Sequence, residues 1–465
     1  MTALKYIYTL VLISVFGCAI GQEKNLSIDN ALDIVRKYHP VIRQSFLRNE
    51  ISKNELLASK GVFDPSIQVN SQEKTFDNKQ YYKYNSTELK IPIWYGIDIK
   101  AGTENNYGEK IDPTLTKNKS AFVGVSMDPF RGLLVDKRKS IINQANNIVE
   151  LTKNEQLLII NDLMLDATTA YWNWVSAFYN NALLLKSVQS NKDRYEVIKK
   201  SYLSGDRAPI DTTEALTQLQ NFEILQTQSA VELQKASFEL SNFFWTENKL
   251  PFELDETIQP VSNFEIGKIV KIDIGDLEDQ ISQATQLHPK LKMTDAKLKF
   301  LDVEKRLKFV ELFPSLKLNY NALDNDLRNF STTINSSNNF KYGLSLSMPL
   351  FQRQARGEIA KTKNKIEDLN LDRKYITLEI ENKVKSSFSE FHSLKQQIRT
   401  NELVLTANKL LFDTENNKFQ MGESSLFLIN NRELKFIETE QKHIALKAKF
   451  YLSIYKNLWS MGKLN

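Results

Sequence analysis

The residues of this chain that are most able to do chemistry are its four histidines and its single cysteine. The histidines are His39, His288, His392 and His443, and their spacing is not that of metal ligands. The first two precede proline, which disfavours helical geometry in the residue before it, so we interpret them as turn residues. The sequence also contains no glycine-rich phosphate loop and no nucleophile elbow. We therefore predict that the protein is not an enzyme and uses no cofactor or metal.

Aromatic and charged residues point to packing and solvation rather than to a ligand site. Tyr171, Trp172 and Trp174 resemble a binding box, yet Tyr171 and Trp174 fall on an apolar helix seam and are better explained as core. The 61 basic and 56 acidic residues leave a net charge of +5 without a basic block. This charge is too diffuse to indicate nucleic-acid binding.

The N-terminus has the layout of a secretory signal peptide over residues 1–21. Lys5 precedes an apolar run that ends in small residues, so the mature chain is expected to begin at Gln22. Cleavage there would remove Cys18; the alternative is a lipoprotein site, Val15 to Cys18, in which Cys18 is acylated. After Gln22 no apolar run approaches the roughly 18 to 20 residues of a membrane-spanning helix. If the chain crosses a membrane, it must do so with strands.

Two kinds of element would position the remaining residues. Between Phe130 and Ala208 apolar residues recur at steps of three and four, which predicts one helix roughly 100 Å long. Short segments with a period of two precede it and predict strands with one apolar face. Leu287-His288-Pro289 repeats Tyr38-His39-Pro40, and a second pair of markers shares this offset, which indicates an internal duplication.

The expected domain organisation follows from this duplication. The first repeat covers 22–275: a helix at 27–62, strands at 66–129, a long helix at 132–204, a return helix at 211–247 and a connector at 250–275. The second repeat covers 276–465: a helix at 276–312, strands at 315–349, a long helix at 352–421 and a return helix at 424–460.

The predicted strands are too few to close a membrane barrel, which needs about eight or more. Because Pro92 to Gly96 interrupts the first strand region, that region holds either one extended hairpin or an additional hairpin. Oligomerisation would supply the missing strands: three copies with about four strands each would give about twelve, above a hollow helical bundle.

In order, these motifs resemble the TolC family of outer-membrane efflux and secretion channels over nearly all of the mature chain. The motifs that carry the resemblance are Ala31 to Pro40 with its repeat at His288-Pro289, Ser345 to Phe351, Tyr202 to Gly205 with Asp211 and Ala215, and Phe419 to Leu426. The resemblance implies a mixed α and β membrane protein. Long helical hairpins would form a periplasmic tunnel, and strands would contribute to a trimeric outer-membrane β-barrel.

The resemblance also implies roles for residues at the two helix reversals. Gly205 and Gly422 would mark the periplasmic tip that contacts an adaptor, with Asp206 and Glu423 beside them. A channel constriction would involve Asp211 and Glu214, whose counterparts in the second hairpin are Leu428 and Asn431. The alternative is that Asp211 and Glu214 are helix N-terminal carboxylates favoured by the helix dipole.

By the same resemblance, the protein would be the passive outer-membrane channel of a tripartite efflux or type I secretion system. It would form a homotrimer in outer-membrane lipid, extend into the periplasm and bind a periplasmic adaptor and an inner-membrane transporter. No nucleic acid is expected as a partner. The alternative function is a periplasmic coiled-coil adaptor or scaffold without a pore.

Overall fold

The computed structural model describes residues 25–255, 257–261, 272–325 and 339–464. The predicted signal peptide, Cys18 and much of the predicted connector lie outside these ranges. Throughout the described ranges, the helices lack a segment both long enough and apolar enough to cross a membrane.

Long helices dominate the described part of the chain. Their bounds are α1 (Ile28–Tyr38), α2 (Pro40–Lys60), α3 (Pro129–Gly132), α4 (Lys137–Leu203), α5 (Pro209–Ser241), α6 (Leu277–Leu287), α7 (Pro289–Val310), α8 (Arg353–Gln420) and α9 (Leu426–Ser460). Helices break at His39 and His288, where the residue before proline takes extended ψ values of 130° and 128°. Both breaks agree with the interpretation of these histidines as turn residues.

The first long helix begins later than the sequence pattern indicated. A separate turn, α3, starts at Pro129, and α4 starts only at Lys137 rather than at 132. The carboxylate of Asp136 explains this start, because it accepts hydrogen bonds from the backbone N–H groups of Arg138 and Lys139 at 2.9 and 3.3 Å. It satisfies N–H groups that have no partner within the helix.

The strands are β1 (Asn25–Leu26), β2 (Ser66–Phe76), β3 (Lys79–Pro92), β4 (Asp98–Tyr107), β5 (Asn118–Met127), β6 (Gln259–Pro260), β7 (Ser315–Asp324) and β8 (Phe340–Ser347). Within the described ranges, β1 and β6 form a small parallel pair, and the others form a six-stranded antiparallel sheet in the order β2-β3-β4-β5-β7-β8. The first strand region therefore contains two hairpins. The estimate of four strands per copy is wrong, because the break at Pro92 to Gly96 is a tight connection between β3 and β4.

The chain divides into two compact units. One comprises the described parts of 1–45, 157–288 and 379–465, and the other comprises 46–156 and 289–378. The first unit is helical, and its largest apolar cluster includes Met164, Tyr171 and Trp174, each at most 3% exposed. The predicted core role of these aromatic residues is therefore confirmed. The second unit contains the six-stranded sheet and the helix segments that enter and leave it.

The compact units do not coincide with the two predicted sequence repeats, since each unit combines segments from both halves of the chain. The reason is that each long helix passes from one unit into the other: α4 crosses at 156–157 and α8 at 378–379. The internal duplication itself stays a prediction.

Candidate functional site

One face of the six-stranded sheet carries apolar side chains. Residues directly opposite each other on antiparallel strands point to the same face. The pairing aligns one row of Ile67, Leu89, Ala101, Val123 and Ala322, and a neighbouring row of Ile91, Ile99, Val125, Tyr320 and Tyr342. Most of the large side chains in these rows are exposed. Adjoining exposed apolar side chains of this kind mark sites of contact with a partner or a membrane, so this face suits contact with lipid.

The opposite face of the same sheet is polar and charged. Lys90 Nζ lies 3.1 Å from an Asp98 carboxylate oxygen, and Lys100 Nζ lies 3.6 Å from a Glu88 carboxylate oxygen. This face also carries Phe122 and Leu323, which pair with each other. Alternation between an apolar face and a mainly polar face is the pattern of strands that separate lipid from water. The sheet therefore has the side-chain distribution of a membrane-spanning wall.

A partly buried ion pair fixes the start of α4 to the connection between β3 and β4. Arg138 donates to the carbonyl oxygens of Ile93 and Ile97 at 2.7 and 3.0 Å, and to the carboxylate of Asp98. Asp136 caps the same helix two residues earlier. Sequence reasoning missed this network, although Asp136, directly ahead of a long helix, is one of the residue types that cap helix N-termini.

The first helix reversal is a Schellman turn centred on Gly205. The N–H of Gly205 donates to Tyr202 O at 3.0 Å, and the N–H of Asp206 donates to Ser201 O at 2.9 Å. These are the two bonds that define this helix ending. Gly205 has φ +84°, a left-handed conformation that glycine adopts without a steric penalty.

The second reversal repeats the same geometry at Gly422. Its N–H donates to Phe419 O at 3.1 Å, the N–H of Glu423 donates to Lys418 O at 2.9 Å, and φ is +81°. Apart from the two chain neighbours, no atom of the described residues lies within 4 Å of the position that a Cβ would take at either turn glycine. Backbone conformation, and not crowding, therefore accounts for glycine at both turns.

The two predicted acidic residues of the first hairpin are half-buried and paired. Asp211 lies 3.9 Å from the guanidinium of Arg207, whose carbon in turn stands 4.7 Å from the ring centroid of Phe419 in the second hairpin. Glu214 accepts a hydrogen bond from Asn430 Nδ2 at 3.4 Å. Glu214 thus joins the two hairpins of one chain directly, whereas Asp211 is connected to the second hairpin through Arg207.

The predicted counterparts in the second hairpin are placed differently. Asn431 is exposed, and its amide donates to Phe427 O of its own helix at 3.1 Å. Leu428 is also exposed. The structure therefore brings Glu214 together with Asn430 rather than with Asn431. Asp206 and Glu423 lie exposed at the turns themselves.

A buried charge pair that sequence reasoning missed joins α4 to α9 near these turns. The guanidinium of Arg194 donates to both carboxylate oxygens of Glu433, at 2.6 and 3.3 Å, and the side chains are only 11% and 4% exposed. Asn191 donates to Glu433 at 3.1 Å, and Arg194 donates to Asn430 at 3.3 Å. Arg194 precedes Gly205 by eleven residues and Glu433 follows Gly422 by eleven, a symmetry visible in the sequence.

A second buried titratable group on α9 is His443. Its Nδ1 lies 3.3 Å from Asn401 Nδ2, and burial, assisted by the nearby Lys447, lowers the pKa of the imidazole to about 4. Burial likewise raises the pKa of Glu440 and lowers that of Lys447. His443 is therefore neutral at pH 7. Within the described ranges no group of three or more His, Cys, Asp or Glu residues is arranged to hold a metal ion.

Comparison with known proteins supports the class that the fold and faces indicate. Residues 280–451 match the family model described as outer membrane efflux protein. The comparison with curated proteins gives no match. The sequence-based prediction of a TolC-like outer-membrane efflux channel is confirmed. This class of protein is a passive channel of the outer membrane.

Solved structures share the fold across almost the whole chain. The outer membrane channel CmeC of Campylobacter jejuni has a TM-score of 0.66 at 11% identity, with 94% of this chain and 85% of that chain covered. The open-state outer membrane channel MtrE of Neisseria gonorrhoeae has a TM-score of 0.66 at 12% identity, covering 94% and 89%. A membrane protein from Pseudomonas aeruginosa has a TM-score of 0.68 at 12% identity, with 95% of this chain and 93% of that chain covered.

Proposed function

We propose that three copies of this chain form a conduit that carries efflux or secretion substrates through the outer membrane. Each copy contributes its six-stranded sheet to a shared β-barrel and its long helices to a periplasmic tunnel. The inner-membrane transporter supplies the energy, and a periplasmic adaptor connects it to the tip. The channel itself conducts passively.

The observation that supports this proposal most directly is the sheet with one apolar and one polar face. Six strands are fewer than the roughly eight that a closed membrane barrel needs, and an open edge is not tolerated in lipid. The edge strands β2 and β8 have neighbours on one side only. Pairing β8 of one copy with β2 of the next would remove every edge, and three copies would provide eighteen strands.

At the tip, the two Schellman turns around Gly205 and Gly422 would face the adaptor. Exposed apolar side chains beside the turns, among them Leu203, Ile210 and Met421, provide a surface for such a partner. Asp211 and Glu214 would narrow the passage from the first hairpin, and Asn431 from the second. These assignments extend the proposal to the closed end of the conduit.

The oligomer can be tested on protein extracted from outer-membrane fractions. Native mass spectrometry in detergent should find a particle of three chains, and cysteines introduced into β2 and β8 should cross-link neighbouring copies into a closed ring of three. A soluble periplasmic monomer would contradict the proposal. It would instead favour the adaptor or scaffold without a pore, a function that gives the apolar face of the sheet no role.

A further inference from the structure

Every connection between the sheet and the helices lies at one end of the sheet. At this end β2 and β7 begin, β5 and β8 end, and β3 passes into β4. Beside these connections, in the same compact unit, is a groove of about 320 Å³. Its wall is mainly apolar, with Phe309, Leu312 and Ile359, and three cations line it: Lys305, Arg306 and Lys363.

Among the described residues, the cations of this groove have no carboxylate partner. Among the described residues none of the three forms an ion pair within 4.0 Å, whereas nearby Lys308 and Lys361 pair with Glu311 and Glu358. The helix that supplies Lys363 adds to the positive charge, since residues 353–365 of α8 contain five basic residues and one acidic residue. Basic side chains at a helix N-terminus are unfavourable unless an anion compensates them.

The connections at this end of the sheet expose large apolar side chains. Leu350 and Phe351, between β8 and α8, are 90% and 71% exposed, and Trp94, between β3 and β4, is 67% exposed. The guanidinium carbon of Arg353 lies 5.1 Å from the ring centroid of Phe351. Aromatic residues together with Lys and Arg are typical of the boundary between lipid chains and head groups.

We propose that this groove binds an anionic phospholipid of the periplasmic leaflet. The inference rests on the proposed function, which places the sheet in the membrane and this end of it at the head-group level. The phosphate contacts Lys305, Arg306 and Lys363, and the start of an acyl chain lies against Phe309, Leu312 and Ile359. Unpaired cations beside an apolar wall match a ligand that is both anionic and apolar, which neither inorganic phosphate nor a zwitterionic head group satisfies.

The test compares lipid retention by the purified full chain. Wild-type oligomer is reconstituted into nanodiscs of phosphatidylethanolamine and phosphatidylglycerol at 3:1, released, and analysed by native mass spectrometry. The wild type should retain phosphatidylglycerol in preference to phosphatidylethanolamine. Each Lys or Arg near a lipid surface contributes about 1 kcal/mol, which corresponds to about fivefold in binding. Each of Lys305, Arg306 and Lys363 changed to Gln should therefore lower the ratio of retained phosphatidylglycerol to phosphatidylethanolamine about fivefold, and the triple variant should lose the preference.

The matched control removes the same charge from α7, the helix of Lys305 and Arg306, at positions that do not line the groove, by changing Lys292, Lys297 and Lys299 to Gln. This control should keep the preference for phosphatidylglycerol. A variant in which each groove Lys is changed to Arg, and Arg306 to Lys, keeps the charge and should also keep the preference. Equal lipid retention by the groove and control variants would overturn the inference while leaving a conducting channel intact. Loss of the oligomer with unchanged lipid retention would show that a second copy fills the groove and would also overturn it. Failure of the wild type to enter nanodiscs would refute the proposed function as well.

Discussion

Truncating Glu433 to Ala should loosen the region near the helix reversals more than the substitution of any exposed charged residue would. Glu433 is buried and accepts hydrogen bonds from Arg194 and Asn191. Its removal leaves the guanidinium of Arg194 buried without its carboxylate. Breaking one partner of a buried ion pair costs about 3–5 kcal/mol. We expect a loss near the lower end of this range, because Arg194 keeps its hydrogen bond to Asn430.

Hydrogen exchange measured by mass spectrometry reports this loss locally. A change of about 3 kcal/mol in the free energy of opening corresponds to roughly a hundredfold faster exchange, provided that opening remains local. The faster exchange should appear in peptides covering 190–198 and 426–437. Exchange in the six-stranded sheet should not change.

Two further variants separate the buried pair from general effects of charge. Lys435 and Glu438 lie on the same helix, 2.8 Å apart, and both are exposed, so changing Lys435 to Gln should cost at most about 1 kcal/mol. Replacing Arg194 and Glu433 together by Leu should restore most of the protection, because no unpaired charge is left. Equal exchange in the Glu433→Ala and Lys435→Gln variants would refute the reasoning.

Three other predictions follow from the turns, the sheet and the buried histidine. Gly205→Val should destabilise the first turn by at least about 1–2 kcal/mol and reduce cross-linking to the adaptor, whereas Gly357→Val, inside α8, should leave cross-linking unchanged. Equal cross-linking by the two variants would argue against the assignment of Gly205 to the tip. Val125→Arg on the apolar face of the sheet should impair membrane insertion by about 2–4 kcal/mol, whereas Ser126→Arg on the polar face should be tolerated. Insertion is measured by the heat-modifiable shift on gels, and equal yields of the two variants would contradict the assignment of the faces. Burial lowers the pKa of His443 to about 4, so the unfolded chain takes up a proton before the folded protein does as the pH falls below about 6.5. The stability of the folded protein should therefore fall between pH 6.5 and 4, by up to about 3 kcal/mol. The His443→Gln variant should lose this part of the pH dependence of thermal unfolding.

Local sequence signals were sufficient for the element types and for most boundaries. Proline after His39 and His288 predicted the helix breaks, and glycine at 205 and 422 predicted the reversals, because each of these residues restricts or frees its own backbone. The start of α4 was less predictable. Asp128 and Asp136 both precede the long helical pattern, and only the structure shows that Asp128 caps the short α3 whereas Asp136 caps α4.

Strand number and tertiary pairing required the structure. Pro92 to Gly96 could be either an interruption or a connection, and the choice depends on whether β3 and β4 pair, as they do from Lys83 with Tyr107 to Pro92 with Asp98. For the same reason, position along the helix identified Leu428 and Asn431 as the counterparts of Asp211 and Glu214, but it did not show that the packed helices present Asn430 to Glu214. A rotation of one residue about a helix changes which side chain meets the neighbour, and that rotation is set by packing between distant segments.

The central claim is that the protein conducts, and single-channel recording in planar lipid bilayers tests it most directly. Purified wild-type oligomer should give discrete conductance steps, and the Val125→Arg variant should give few insertions because its sheet no longer suits lipid. A preparation that is oligomeric and folded, with intact sheet and helix content, would contradict the account if it never conducts, even in the Glu433→Ala variant that loosens the region near the helix reversals.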